Sequence, residues 1–264
     1  MLVLTESRFK PWDMPQRFRL FSATAVAMAL WSACGVACAL EFKVDLIQLD
    51  PWAFVNPEPN AAEPNVGVVV DLVKEFERRT GHTTRQTLTP YARVELDLEH
   101  GECDFSIMAW GPARARYANR GTAFVRLDFG VRAQKGVRLK KYSDLYNITT
   151  SATRGLKIDP VFDADTALKK DYVVDYTMGV KKTALHRDSQ AVAGSLSTIN
   201  HIIHKLQLDG EFGDTIVLNT TYLTVAYSKK SQHREAEAEV NAVFQAMVAD
   251  GTARKIISRW MVSY

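Results

Sequence analysis

The feature that most constrains this fold is a change of hydrophobic period between residues 41 and 81. Apolar and polar residues alternate over residues 41–47, which is the period of a β-strand. After a loop rich in Pro and Asn at residues 56–64, apolar residues recur at helical spacing until Gly81, where a helix is expected to end. Those helical positions are Val69, Leu72, Val73 and Phe76. The segment therefore predicts a β-loop-α unit.

The same alternation of strands and helices continues along the chain. A second helix is predicted from residue 90 to residue 101, followed by a short buried strand at residues 104–109. Extended stretches are expected at residues 127–131 and 216–227, with another α/β segment between them at residues 144–213, and two helices close the chain. This order predicts parallel βαβ construction in two lobes that are joined by two crossings.

The N-terminal segment has the pattern of an export signal. Residues 20–40 carry no charge and follow a short basic region with Arg17 and Arg19. The segment closes on Ala-Cys-Ala at residues 37–39, a pattern typical of signal-peptidase cleavage before Leu40. Because about 20 apolar residues suffice to cross a bilayer, a retained membrane anchor is the alternative.

Residues 1–39 are therefore predicted to be a cleaved signal peptide, and the mature protein is expected in the periplasm. Either Met1 or Met14 could be the true start. Of the three cysteines in the chain, only Cys103 remains after cleavage, so an intrachain disulfide bond is excluded in the mature protein. We expect Cys103 to be a buried thiol.

Composition narrows the class of protein. The chain has 47% hydrophobic and 24% charged residues, which is typical of a soluble globular protein and excludes wholesale disorder. Lys and Arg total 33 against 30 Asp and Glu, and these charges are scattered along the chain. Without a basic stripe interleaved with aromatic residues, nucleic acid is not an expected partner.

Several segments, in order, are similar to one known family. They are Pro-Trp-Ala-Phe at residues 51–54, a helix at residues 67–81, a Leu-x-x-Gly-x-x-Asp turn at residues 98–104, Gly-Pro-Ala-Arg at residues 111–114, and the closing segments at residues 225–231 and 250–260. The chain thereby resembles the family 3 extracellular solute-binding proteins of polar amino-acid uptake systems. Their Thr-Pro-Glu-Arg segment corresponds to residues 111–114.

The resemblance implies an α/β, two-lobed type II periplasmic binding protein fold with a ligand cleft and two hinge crossings. Lobe one would comprise residues 40–128 plus 226–264, and lobe two residues 129–225. Hinge closure around a small-molecule solute is the implied motion. A monomer that delivers its solute to the membrane permease of an ABC-type uptake system, without a cofactor, is expected.

The resemblance also implies the ligand contacts. Arg114 matches the arginine that holds the solute's α-carboxylate, a role for which a planar guanidinium is suited. In lobe two, Arg154 belongs to a turn similar to one that also meets the carboxylate. Gln190 stands where the family carries the Asp that binds the α-ammonium, so an organic acid, or an amino-acid-like molecule without that ammonium, is the expected solute. Independently of the resemblance, Trp52, Phe54, Tyr91 and Trp110 are expected at loop or strand-end positions, where clefts form in α/β lobes. The predicted ligand-binding set is Trp52, Phe54, Tyr91, Trp110, Arg114, Arg154 and Gln190, with Arg93 and Asp188 as alternative contributors.

Two other functions stay open from the sequence. The chain could be a sensory ligand-binding module for a membrane receptor, or a periplasmic enzyme like the cyclohexadienyl dehydratases that share this fold. No Gly-x-Ser-x-Gly, Walker or dinucleotide-binding motif occurs in the sequence, and no catalytic residue is predicted. His201 and His204 have a spacing that can bind metal, but two His on a polar helix face is the favoured interpretation.

Overall fold

The computed structural model describes residues 39–261. The strands are β1 (Glu41–Ile47), β2 (Phe54–Val55), β3 (Asn65–Val66), β4 (Thr83–Thr89), β5 (Phe105–Ala109), β6 (Ala118–Gln134), β7 (Thr149–Thr153), β8 (Lys169–Val173), β9 (Ala191–Ser195) and β10 (Phe212–Ser228). The α-helices are α1 (Val68–Thr80), α2 (Tyr91–His100), α3 (Pro160–Ala164), α4 (Tyr176–Ala184), α5 (Leu196–Lys205), α6 (Glu237–Ala249) and α7 (Thr252–Trp260). None of the helices within residues 39–261 is long and apolar enough to cross a membrane. The predicted signal peptide, apart from Ala39, lies outside the described residues.

Eight strands form one mixed sheet in the order β4-β1-β5-β10-β6-β9-β7-β8. At one end, β1 pairs in parallel with β4 and β5. At the other end, β7 pairs in parallel with β8 and β9. The two central strands, β6 and β10, run antiparallel to each other. The predicted α/β class with parallel units is therefore confirmed.

The long strands β6 and β10 connect the two ends of the sheet. One part of β10 pairs with β5 at residues 223–227, whereas one part of β6 pairs with β9 at residues 129–133. We call β1–β5 with α1, α2, α6 and α7 the first lobe, and β7–β9 with α3–α5 the second lobe. The predicted lobe boundaries after residues 128 and 225 fall inside these two strands, and their exact position stays a prediction.

The first lobe has an aromatic core beneath α1. The ring of Phe76 on α1 stacks on Phe244 of α6 with 5.3 Å between centroids, and the rings of Phe42 and Phe105 meet Phe76 at 5.9 and 6.0 Å. Each such pair contributes about 0.5–1.5 kcal/mol beyond its buried area. As predicted, α1 ends at Gly81, whose φ of 74° is the left-handed conformation that a glycine C-cap adopts at little cost.

The second lobe has its own apolar core, in which α4 and α5 pack against β7 and β9. Its buried residues include Val180, Ile199, Ile202 and Ile203. Three strands of the first lobe were not predicted. Two of them are the two-residue strands β2 and β3, and the third is β4, whose sequence Thr-Thr-Arg-Gln-Thr-Leu-Thr is mostly polar. It is an edge strand that pairs with β1 over seven residues, and its threonines favour extended backbone.

A pair of carboxyl groups lies between β1 and α2. Asp45 and Asp97 are each only 8% exposed. Burial, followed by a hydrogen bond with Asp97 and by the charge of Asp97, raises the pKa of Asp45 to about 6, although Thr89 and Arg93 act in the opposite direction. Arg93 Nε lies 2.8 Å from Asp97 Oδ1, so the pair is partly compensated.

This pair should make stability depend on pH. The pKa of Asp45 is raised on folding, from 3.8 to about 6, so its contribution to stability is present below about pH 4 and is lost as pH rises through 6. Asp45→Asn should therefore raise the free energy of unfolding at pH 7 by roughly 1–3 kcal/mol and flatten its decrease between pH 4 and 7. Urea titrations at both pH values measure this. Exposed Asp188→Asn is the control, and an Asp45→Asn protein with the wild-type pH slope would contradict the assignment.

Candidate functional site: the cleft between the lobes

A cavity of about 50 Å³ lies where the two lobes meet. Among the described residues, those that line it carry no charged side chain: Ile47, Leu49, Trp52, Val69, Tyr91, Ile107, Met108, Ala109, Leu127, Phe129, Leu156, Tyr176, Ser195, Thr198 and Leu223. Pockets that hold small organic molecules are about 300–1,000 Å³. The lobes are therefore closed on a narrow, mostly apolar cleft.

Trp52 connects the two lobes across this cleft. It lies in the loop after β1, is only 6% exposed, and donates a hydrogen bond from Nε1 to Thr198 Oγ1 on α5 at 2.9 Å. The predicted residue Tyr91, at the start of α2, lines the cavity too. Two of the four aromatic residues selected from the sequence are thus brought to one wall of the cleft.

The other two aromatic residues, Phe54 and Trp110, are not among the cavity-lining residues. Phe54 makes an edge contact with the ring of Trp260 at 5.8 Å, and Lys205 Nζ lies 5.3 Å from its ring centroid. Trp110 follows β5, and its carbonyl accepts a hydrogen bond from Thr221 Oγ1 at 2.6 Å.

The second lobe contributes a wall that sequence reasoning missed. The Tyr176 hydroxyl accepts a hydrogen bond from the backbone N–H of Ser195 at 2.9 Å. The Tyr176 ring lies over Gly194. A side chain at position 194 would place its Cβ only 2.3 Å from Tyr176 Cε1, and the backbone φ of Gly194 is 154°. Gly194 and Ser195 are the last two residues of β9, which pairs in parallel with β7. Because ligand sites form at the ends of parallel strands, this position could have indicated the site from the sequence.

Arg114 is 6% exposed and lies behind Tyr91 and Ala109, outside the cavity lining. Its Nη2 donates to Glu95 Oε1 at 2.5 Å and to the Tyr91 hydroxyl, and Nη1 donates to the Ala109 carbonyl at 2.9 Å. The Tyr117 hydroxyl donates to the other Glu95 oxygen at 2.6 Å. Arg114 is therefore enclosed by groups from α2 and from the end of β5.

Charge in this cluster is balanced within the protein. Burial alone would raise the pKa of Glu95, but the Tyr117 hydrogen bond and the charge of Arg114 outweigh it and lower that pKa. Burial raises the pKa of Tyr91 to about 12 despite the opposing charge of Arg114. At neutral pH, Glu95 is thus ionised and Tyr91 is neutral, so Glu95 and Arg114 form an ion pair.

The sequence matches the family described as bacterial extracellular solute-binding proteins, family 3, over residues 48–263. The chain belongs to this family. No curated protein sequence matched the chain significantly.

Solved structures with this fold include receptors and a sensor. A mutant of ArgBP from T. maritima is 20% identical, with a TM-score of 0.71 over 83% of this chain and 94% of that one. A histidine kinase sensor domain is 14% identical, with a TM-score of 0.71 over 84% and 96% of the two chains. A solute receptor for L-cysteine of Neisseria gonorrhoeae is 16% identical, with a TM-score of 0.66 over 83% and 89%. At these identities the likeness shows the two-lobed fold alone.

Arg154 and Gln190, the two predicted ligand-binding residues of the second lobe, lie outside the cavity lining. The Gln190 side-chain oxygen accepts a hydrogen bond from the Thr149 N–H at 2.7 Å, and its backbone carbonyl accepts one from the Gln134 N–H at 2.9 Å. Arg154 is exposed at the end of β7. In this closed conformation, neither side chain is placed beside Trp52 and Tyr91.

A second contact between the lobes lies at the cleft rim. Asp50, in the loop after β1, has one carboxylate oxygen 3.2 Å from His201 Nε2 and the other 2.5 Å from Lys205 Nζ, both on α5. Burial opposes ionisation of Asp50, but the hydrogen bonds from His201 and Lys205 lower its pKa overall. Together with Trp52 and Thr198, these groups attach the loop to one face of α5.

The remaining sequence candidates serve local contacts. His201 and His204 face different carboxylates, since His204 Nδ1 lies 3.6 Å from Asp209 Oδ2. Within residues 39–261 no group of three or more His, Cys, Asp or Glu side chains is placed to hold a metal ion. Cys103 is buried, and burial raises the pKa of its thiol. Asp188 is exposed.

Proposed function

We propose that this chain is a periplasmic receptor that captures a small organic solute between its lobes by hinge closure and delivers it to an ABC-type uptake system. The observation that carries the proposal is the cavity whose walls come from both lobes, with Trp52 of one lobe bonded to Thr198 of the other. Because the lobes are joined through β6 and β10, a rotation about these two strands would part them around a solute. Cleavage before Leu40 and a monomeric state belong to the same proposal.

In one form of this proposal, which follows from the family resemblance of residues 111–114, the solute carries a carboxylate. In that form of the proposal, Arg114 binds the carboxylate and has to release Glu95 to do so. The aromatic surfaces of Trp52 and Tyr91 would cover the apolar part of the solute. The cavity lining does not include Phe54, Trp110, Arg154 or Gln190, and their roles in binding stay predictions.

Thermal unfolding in the presence of a metabolite panel tests the receptor function. A solute at about 100 times its Kd should raise the free energy of unfolding by roughly 2.7 kcal/mol. Small-angle scattering with and without the hit should show lobe closure. The proposal predicts that the solute is recovered unchanged after incubation, whereas its consumption would favour the dehydratase-like alternative.

A sensory role is the second candidate, and it is favoured by the fold that the chain shares with a histidine kinase sensor domain. The two roles differ in what loss of the protein does to the cell. If the chain serves uptake, deletion of its gene should abolish high-affinity uptake of the radiolabelled solute. If it serves sensing, uptake should persist and the transcriptional response to the solute should be lost.

A further inference from the structure

The ion pair between Arg114 and Glu95 bears on the charge of the solute. Tyr91 and Glu95 lie four residues apart, on one face of α2, and both bond the same guanidinium nitrogen of Arg114. Tyr117, the residue that follows the short helical turn carrying Arg114, bonds the second Glu95 oxygen. The protein therefore supplies its own carboxylate to the arginine that the family resemblance assigns to the solute.

A solute carboxylate would have to compete with this internal one. The Glu95 carboxylate belongs to the same chain as Arg114, so it acts at an effective concentration of about millimolar or more. A free solute competes with it at the lower concentration of the solute itself. Displacement would also leave the Glu95 carboxylate without its cation, with its side chain 31% exposed and partly surrounded by protein. If the pair stayed intact, a second anion beside it would add an uncompensated negative charge to a desolvated site.

The cavity lining offers no cation that could replace Arg114. Among the described residues, the cavity lining holds apolar side chains, the indole of Trp52 and four hydroxyl groups. The amide at position 190, where the family resemblance expects an ammonium-binding carboxylate, is engaged with the Thr149 N–H. Among the residues that line the cavity, neither an anion nor a cation of the solute would meet an opposite charge.

The hydroxyl groups indicate which neutral atoms the cleft could recognise. Thr198 Oγ1 accepts from Trp52 Nε1, and the Tyr176 hydroxyl accepts from the Ser195 N–H. Because each oxygen is used as an acceptor, each has its O–H hydrogen to donate. A carbonyl or ether oxygen on an apolar body is the complementary group.

We propose that Glu95 is a specificity-determining residue that neutralises Arg114, so that the cleft receives an uncharged, mainly apolar solute with a hydrogen-bond acceptor. This inference rests on the proposed receptor function. A carboxylate-bearing solute that displaces Glu95 is the competing outcome.

Matched pairs of probes test the inference: benzamide against benzoate, and isovaleramide against isovalerate. Thermal shift titrations of the purified protein compare the two members of each pair. The wild-type protein should respond to the amide at concentrations about tenfold or more below those needed for the acid. In Glu95→Gln, where the charge of Arg114 has lost its partner, acid binding should strengthen by about tenfold or more relative to the amide. Glu99→Gln, on the same helix, is the matched control and should keep the wild-type ratio.

Two results would overturn the inference. The first is a wild-type protein that binds the acid more tightly than the amide. In that case the receptor function is retained, and only the inference that the solute is uncharged is wrong. The other is a Glu95→Gln protein that gains no acid binding, whatever the wild type binds. If Glu95→Gln does not fold, the double variant Glu95→Gln/Arg114→Gln should keep the preference for the amide, and a reversed preference would sink the proposal. Failure of the whole metabolite panel, by contrast, would count against the receptor function itself.

Discussion

Gly130→Ala should lower the free energy of unfolding by about 3 kcal/mol or more, an unusually large effect for one added methyl group. A Cβ at this position would lie 2.0 Å from the carbonyl oxygen of Ile216 and 3.1 Å from Val217 Cα. Both are backbone atoms of β10. Gly130 is paired with Val217 of β10 on one side and with Gly194 of β9 on the other. Neither strand can move away from Gly130 without breaking backbone hydrogen bonds of the sheet.

Gly210→Ala is the matched control for this prediction. A Cβ at Gly210 would meet nothing within 4 Å. Its φ is not in the left-handed range. The substitution should therefore be neutral or stabilise by up to about 1 kcal/mol, because it restricts the unfolded chain. Urea unfolding followed by circular dichroism measures both variants, and equal stabilities would show that β6 and β10 are not packed as closely as described.

The close approach at Gly130 has a functional consequence. β6 and β10 are the two connections between the lobes, and here their backbones are in contact without an intervening side chain. Strands packed this closely can bend together but cannot slide past each other. Lobe motion is therefore expected as a rotation about this pair of strands rather than as a shear between them.

The parts of the fold that the sequence predicted are those set by local periodicity. Helix α1 repeats its apolar positions at helical spacing and stops at a left-handed Gly81, so its residues alone specify it. The sequence did not predict strand β4, because the strand is mostly polar and its extended backbone depends on pairing with β1. Pairing of that kind is a tertiary effect, which periodicity within one segment does not contain.

The same distinction explains the cleft. Trp52 and Tyr91 were selected because they lie at loop and strand-end positions, where clefts form. Arg114 and Glu95 are 19 positions apart in the sequence, and Tyr176 and Ser195 are also 19 positions apart. Partners at such separations are set by how the helices cross the sheet. The motif at residues 111–114 therefore selects Arg114 as a candidate, but the sequence does not predict its ion pair with Glu95.

Trp52→Ala should abolish high-affinity solute capture, with a loss of about 100-fold or more in affinity, as expected for a buried aromatic residue at the centre of a site. The side chain forms one wall of the cavity and donates the hydrogen bond to Thr198 that links the lobes. Removing the buried indole should also lower the free energy of unfolding by about 3–5 kcal/mol. Calorimetric titration with the solute found in the metabolite panel measures the first effect, and urea unfolding measures the second.

Two variants separate the functions of the Trp52 ring and of its N–H group. Trp52→Phe keeps an aromatic wall but loses the hydrogen bond and the five-membered ring of the indole. The lost hydrogen bond should lower the free energy of unfolding by about 0.5–1.5 kcal/mol, and most of the affinity for the solute should remain. Trp260→Ala removes an indole of the same lobe whose Nε1 donates to Asp71 at 2.8 Å, away from the cavity lining. It should destabilise the protein without weakening solute binding. If Trp260→Ala weakened binding as much as Trp52→Ala does, the loss would reflect general destabilisation, and the cavity beside Trp52 would not be the place where the solute binds.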